Sequence, residues 1–329
     1  MGSFMSVVDQ NFPPKATWGV DEIPDLSGKV AIVTGGNSGI GKEIVKVGLL
    51  PRCVELSWTF LSKALLVKNA KVYMAGRNEW KCQLTIEELQ EETSQTGLFL
   101  RLDLANLKSV KEAAMTFQSQ ESELHILINN GGVMLPAKDV VTADGYDLQF
   151  GTNALGHYYL TTLLIPQLQA GALLSDSKSA RVVNLSSGGH TSHPMINWDT
   201  LKDGPARNKM GNFNLYNQSK FANIVFSSEL AKRYGDKGIV STSCHPGLIV
   251  SNLGRTVPQP IRAFFTWMSY DTAEGAITPL YAATSPQAAN ANGKYFIPWA
   301  RVGVLIPQAT DAETGDKLWK WFEEQTKDI

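Results

Sequence analysis

Tyr216 and Lys220 stand at i and i+4 in the run Tyr216-Asn217-Gln218-Ser219-Lys220. On a helix that spacing sets a phenol and an ammonium on one face. A free phenol titrates near pH ~10. A neighbouring cation stabilises the phenolate and moves that value toward the range where proton transfer at neutral pH is useful. Upstream, Arg181-Val182-Val183-Asn184-Leu185-Ser186-Ser187 reads as a buried strand that delivers hydroxyls at its C-terminal end. Tyr-x-x-x-Lys alone recurs by chance, so the residues before it decide what it means.

Lys29-Val30-Ala31-Ile32-Val33-Thr34 is too short for a helix and rich in β-branched residues, which predicts a buried strand. It runs into Gly35-Gly36-Asn37-Ser38-Gly39-Ile40-Gly41 and then the helix formers Lys42-Glu43-Ile44-Val45. Strand, glycine turn and helix make a site for a dinucleotide phosphate. The glycines let the backbone approach the pyrophosphate, and a helix N-terminus points free N–H groups at it. The spacing is Thr-Gly-x-x-x-Gly-Ile-Gly, with Gly35, Gly39 and Gly41 as its glycines.

Together these residues resemble the short-chain dehydrogenase/reductase family. Thr34 to Gly41, Asn129-Asn130-Gly131-Gly132, Ser187, then Tyr216 with Lys220 fall in the family's order, and His245-Pro246-Gly247 follows the next strand. The resemblance covers roughly residues 27–300 and is nearest to the retinol-dehydrogenase-like subgroup and its fungal relatives. One position departs: Gly131 stands where the family has Ala.

The resemblance implies hydride transfer between a nicotinamide and a carbonyl carbon, coupled to proton transfer at oxygen. Tyr216 is then the proton donor or acceptor, Lys220 also holds the nicotinamide ribose, and Ser187, in preference to Ser186, bonds the substrate oxygen. Asn153, in Gly151-Thr152-Asn153-Ala154, matches a helix Asn that holds a relay water; a satisfied polar residue in a helix kink explains it as well. Asn130 and Gly131 border the cofactor, Asn129 braces the sheet centre, and Ser251 stands where the family often has a Thr facing the carboxamide. Asp103 matches an adenine-contacting Asp, and a helix N-cap is its plainer reading.

Further apolar runs at 71–75, 98–102, 124–129, 180–185, 240–244 and 293–297 alternate with stretches of helical period. Alternation of this kind predicts an α/β fold: one doubly wound Rossmann domain, with a mainly parallel seven-stranded sheet and helices on both faces. Residues 1–22, with Pro13 and Pro14, read as an extended arm, 23–329 as the domain, and 248–292 as a variable segment on the substrate side.

In such a fold the second strand ends beside the adenosine ribose, where a carboxylate selects NAD and an Arg accommodates the 2′-phosphate of NADP. Here the strand reads Val72-Tyr73-Met74-Ala75-Gly76-Arg77, without a carboxylate, and NADP(H) is expected.

The stretch between the glycine turn and the second strand is too long for one helix. Gly48 and Pro51 would break it. Removing 47–63 joins Lys46 to Ala64 and restores a continuous amphipathic pattern. A Val codon begins with GT and a Lys codon can end in AG, so a retained in-frame intron is one reading of the segment; a solvent loop, ill-suited to its Leu, Trp and Phe, is the other.

The apolar content of 43% suffices for a core, and the net charge of −1 argues against nucleic acid as a partner. Three scattered cysteines suggest reduced thiols, and five histidines show no metal-ligand spacing, so no metal is expected. His190 and His193 read as pocket or surface residues. No signal peptide and no stable membrane insertion are expected, which places the chain in the cytoplasm, although Met1-Gly2-Ser3-Phe4-Met5-Ser6 fits a myristoylation pattern. His193, Met195 and Trp198, with Ile261, Phe264, Phe265, Trp267 and Met268, suggest a hydrophobic carbonyl or alcohol substrate, of the kind met in fungal secondary metabolism; a homodimer contact explains the same residues. Two other readings stay open: a nucleotide-binding regulator without turnover, and an inactive product of the interrupted gene.

Overall fold

The computed structural model describes residues 10, 13–36, 57–249 and 269–329. Strands form where the apolar runs fall: β1 Val30–Gly36, β2 Lys71–Gly76, β3 Leu98–Arg101, β4 Ile126–Asn129, β5 Ala180–Leu185, β6 Ile239–Cys244 and β7 Tyr295–Ile297. Their order is β3-β2-β1-β4-β5-β6-β7, all parallel. An eighth strand, β8 Arg301–Val302, adds antiparallel to β7. The sheet therefore has eight strands and not the expected seven; two residues cannot display a period of two, so β8 leaves no sequence signal. Central strands buried on both faces explain why the apolar runs are continuous.

Helices cover both faces: α1 Ser57–Val67, α2 Glu79–Thr93, α3 Leu107–Gln120, α4 Gly156–Leu163, α5 Ile165–Leu174, α6 Asn212–Tyr234, α7 Thr272–Thr284 and α8 Ala312–Thr326. Caps set several of their starts. Asn78, Asn106 and Asp311 each accept a backbone N–H of the first turn, and Asp271 forms a reciprocal box with Glu274 before α7. Arg207 and Asp147, both 1% exposed, pair at 2.9 Å, and Asp147 also accepts from the N–H groups of Gln149 and Phe150. This pair holds the entrance to the helical stretch that leads into α4.

Two boundaries differ from expectation. Residues 57–63 do not loop into solvent: they belong to α1, and Leu61 and Ser62 are fully buried beside Leu65 and Leu66. Residues 47–56 lie outside the described residues. Within 248–292, α7 is a sheet-covering helix, with Leu280 and Ala282 fully buried, while 250–268 lie outside the described residues. The arm is docked where described: Trp18 is buried and meets Tyr281 edge-on at 5.4 Å.

The helix that carries Tyr216 is held from behind. Phe226 of α6 and Tyr158 of α4 pack against Trp319 and Phe322 of α8, with the Tyr158 and Phe322 rings stacked at 4.6 Å.

Candidate active site

The reactive residues gather at the C-terminal ends of β4 and β5 and on the facing side of α6. Tyr216 and Lys220 are buried there, the Lys220 Nζ 5.9 Å from the Tyr216 ring centroid. Lys220 donates to the carbonyl of Leu185 at 3.0 Å, which fixes it at the end of β5. The Ser187 hydroxyl lies close enough to the Tyr216 side chain to pull its phenol down. It also accepts from the N–H of Gly189 at 3.2 Å. Its neighbour Ser186 is otherwise engaged, donating to the backbone carbonyl of Lys220 at 2.7 Å. Ser186 thereby ties β5 to α6, and its hydroxyl hydrogen is spent there.

Burial pushes the Tyr216 phenol up to about 12, with the Ser187 hydrogen bond pulling the other way. Burial pushes Lys220 down to about 8. The expectation that the cation lowers the phenol is therefore corrected. Loss of hydration dominates, and the buried phenol is neutral at physiological pH.

Asn153 lies in a turn of π-helix, Gly151–Leu155, ahead of α4. Its side chain clamps Val133 at both backbone groups, at 2.8 and 3.0 Å, and donates to Ser219 at 2.9 Å. Both amide hydrogens are spent, so the side chain braces the β4 loop against α6. Asn129 donates to Thr161 and Asn184 and braces the sheet centre as expected.

At the end of β1, Gly35 has φ +125°, and a Cβ there would meet the Asn130 side chain at 2.6 Å and the Gly131 Cα at 3.0 Å. Only glycine fits. Gly131 is drawn into the same close approach, its missing methyl leaving room for Leu104. Asn130 donates to the Thr34 carbonyl, and the N–H groups of Asn130 and Gly131 both donate to the Thr34 hydroxyl at 3.0 Å. The Thr34 oxygen lies 2.8 Å from Nε2 of His157, whose Nδ1 lies 3.0 Å from the Asn153 carbonyl. Sequence reading missed His157. It is a lone histidine in an apolar helix, with nothing local to mark it.

His190, read as a pocket or surface residue, is 1% exposed, and its Nδ1 donates to the Ser187 carbonyl at 2.7 Å. Arg77 follows β2 directly and lies 3.8 Å from Asp103, both about a third exposed at 37%. Asp103 is not the cap of α3; Asn106 is. Asn37, Ser38, Gly39, Ile40, Gly41 and Ser251 lie outside the described residues. Among the described residues no group of acidic, His and Cys side chains could hold a metal, Cys82 and Cys244 are free thiols, and no helix is long and apolar enough to cross a membrane.

The short chain dehydrogenase family model matches residues 59–198, beginning inside α1. A short-chain dehydrogenase/reductase of Armillaria gallica is 45% identical over 328 residues, covering 100% of both chains. The chain belongs to the short-chain dehydrogenase/reductase family. It is an oxidoreductase acting on alcohols or carbonyls and binds a nicotinamide cofactor. Retinol dehydrogenase 12 of Mus musculus, another relative of this dehydrogenase/reductase, is 33% identical over 89% of this chain and 85% of its own. A solved structure of an uncharacterised Mycobacterium paratuberculosis protein superposes with a TM-score of 0.68 at 27% identity, covering 95% of this chain and 98% of that one.

Proposed function

We propose that this dehydrogenase/reductase is NADP(H)-dependent and interconverts a carbonyl and an alcohol on a hydrophobic small molecule, with Tyr216 as the proton donor. The observation that carries the reaction is the buried pair of Tyr216 and Lys220 on one face of α6, Lys220 anchored on the Leu185 carbonyl and Ser187 beside the phenol. The preference for NADP(H) rests on Arg77 at the end of β2, where no carboxylate competes for the ribose. The cradle of Gly35, Asn130 and Gly131 suits close passage of a dinucleotide.

When bound, the nicotinamide exchanges a hydride with the carbonyl carbon. The protein's part is to hold the oxygen and manage one proton. Ser187 donates to the oxygen as negative charge grows there, a contact of a kind worth about 3 kcal/mol. Tyr216 delivers the proton, and its neutral phenol suits it to the reductive direction. Lys220 supplies positive charge and holds the ribose. Asn153 and Ser186 position rather than react. Met195, His193 and Trp198 border the substrate side, and an apolar substrate agrees with the retinol named in the mouse relative. A tailoring step of fungal secondary metabolism in the cytoplasm completes the reading; its support is the fungal short-chain dehydrogenases among the relatives.

A panel of aldehydes, ketones and alcohols, followed by cofactor absorbance with NADPH and with NADH, tests this. Turnover of apolar carbonyls with NADPH, lost at least about a hundredfold in Tyr216→Phe with cofactor binding intact, is the expected result. A Tyr216→Phe enzyme of normal rate overturns the assignment.

A further inference from the structure

In the sequence twenty residues, 37–56, separate β1 from the described part of α1, whereas β2 and β3 reach their helices through 77–78 and 102–106. Crossovers of this kind use short strand-to-helix turns. The buried face of α1 is Leu61, Ser62, Leu65 and Leu66, each at most 1% exposed. One member of that face is wrong for its place. The Ser62 hydroxyl is buried with no hydrogen-bond partner, a state that costs free energy. At the edge of the same turn, Lys63 pairs with Glu92 at 2.7 Å.

Ile44-Val45-Lys46 repeats this pattern with the fault corrected. If Lys46 preceded Ala64 directly, Ile44 would take the place of Leu61, Val45 that of Ser62 and Lys46 that of Lys63. The apolar face would then be complete and the Glu92 partner kept. In the same register Ile40 takes the place of Ser57, the first described residue of α1, and Gly41 that of Trp58, so that the glycine turn would run directly into the helix, as close approach of a phosphate requires.

We infer that residues 47–63 interrupt the first crossover helix, and that the working oxidoreductase is the chain in which Lys46 is joined to Ala64. The present chain fills the face with a substitute stretch, 57–63, that restores the core imperfectly and, in sequence, parts the glycine turn from the helix it should open. The point where the family match begins, inside that substitute stretch, agrees. The cofactor half of this inference rests on the dinucleotide reading above; the helix half does not.

Thermal melts without cofactor test the helix. The chain lacking 47–63 should melt at least about 3 °C above the full chain, and Ser62→Val should raise the full chain part of the way. Val45→Asp should lower the melting temperature of the shortened chain sharply and that of the full chain far less, because only in the former does position 45 occupy the core. A shortened chain that melts lower or fails to fold, or a Ser62→Val chain that melts lower, overturns the inference. Fluorescence titration with NADPH tests the second half: the shortened chain should bind at least about tenfold more tightly. Equal affinity overturns its standing as the working form. Failure of both chains to bind either dinucleotide overturns the cofactor reading instead, and the melts still decide the helix.

Discussion

Thr34 donates its hydroxyl hydrogen bond to Nε2 of His157 across 2.8 Å. The direction follows from the other side of the ring, where the Asn153 carbonyl can only accept, so Nδ1 must carry the hydrogen. The Thr34 oxygen is left to accept from Asn130 and Gly131. One neutral imidazole thereby links the glycine turn to the π-turn that braces α6.

Replacing His157 by Phe leaves the Thr34 hydroxyl and the Asn153 carbonyl short of a partner and should cost about 1–3 kcal/mol in urea unfolding. Burial holds His157 down at about 4, against 6.5 in the unfolded chain. The unfolded state therefore binds more protons between these values. The His157 contribution is complete above pH 6.5 and is lost as pH falls toward 4. Part of the acid sensitivity of the wild type should disappear in His157→Phe. An unchanged slope of stability against pH would remove His157 from that role.

The two neighbouring serines should separate cleanly. Ser187→Ala is expected to lower kcat about a hundredfold with little change in melting temperature, since its hydroxyl serves Tyr216 and the substrate oxygen. Ser186→Ala should cost about 1 kcal/mol of stability, because it removes the hydrogen bond that ties β5 to α6, and should affect kcat less. Steady-state kinetics beside denaturation curves decide between them, and a reversed pattern would exchange their roles.

Arg77→Ala should weaken NADPH about tenfold or more and NADH less than about threefold, because only NADPH carries the 2′-phosphate that a guanidinium holds. Equilibrium titration with both dinucleotides measures the difference. Equal losses would show that Arg77 serves only its contact with Asp103.

The rate of carbonyl reduction should be flat through neutral pH and decline as pH passes about 8, where Lys220 loses its charge. Tyr216, raised to about 12, stays protonated across that range. Alcohol oxidation, which needs the phenolate, should keep rising with pH. Profiles of kcat/KM in the two directions would reveal the asymmetry, and a reduction limb that falls with the titration of a group near 6 would point to a different donor.

Much of the fold could be read from the chain because seven strands are buried on both faces and therefore appear as unbroken apolar runs. Tyr216, Lys220, Ser187 and Gly35 were legible for a different reason: their chemistry depends on fixed local spacing, as on α6 or in the turn after β1. The remainder depends on distance in space. His157 earns its role from Thr34, a residue on another element, and Ser186 differs from Ser187 only in which side of β5 its hydroxyl leaves. The start of α1 misled for a related reason. Trp58-Thr59-Phe60-Leu61 has helical character of its own, which a reading of 57–63 as a solvent loop passed over.

The aromatic wedge of Trp319 and Phe322 against Phe226 and Tyr158 bears on the order of events at the ribosome. Every residue of the reactive centre is synthesised before α8 emerges. Until it does, the rear of α6 presents Phe226 to water, and the helix bearing Tyr216 and Lys220 lacks its backing. Domains assemble as their sequence becomes available. The catalytic pair is thus translated early and seated late, so a chain released before α8 would contain the whole chemistry of the enzyme without the support that aims it.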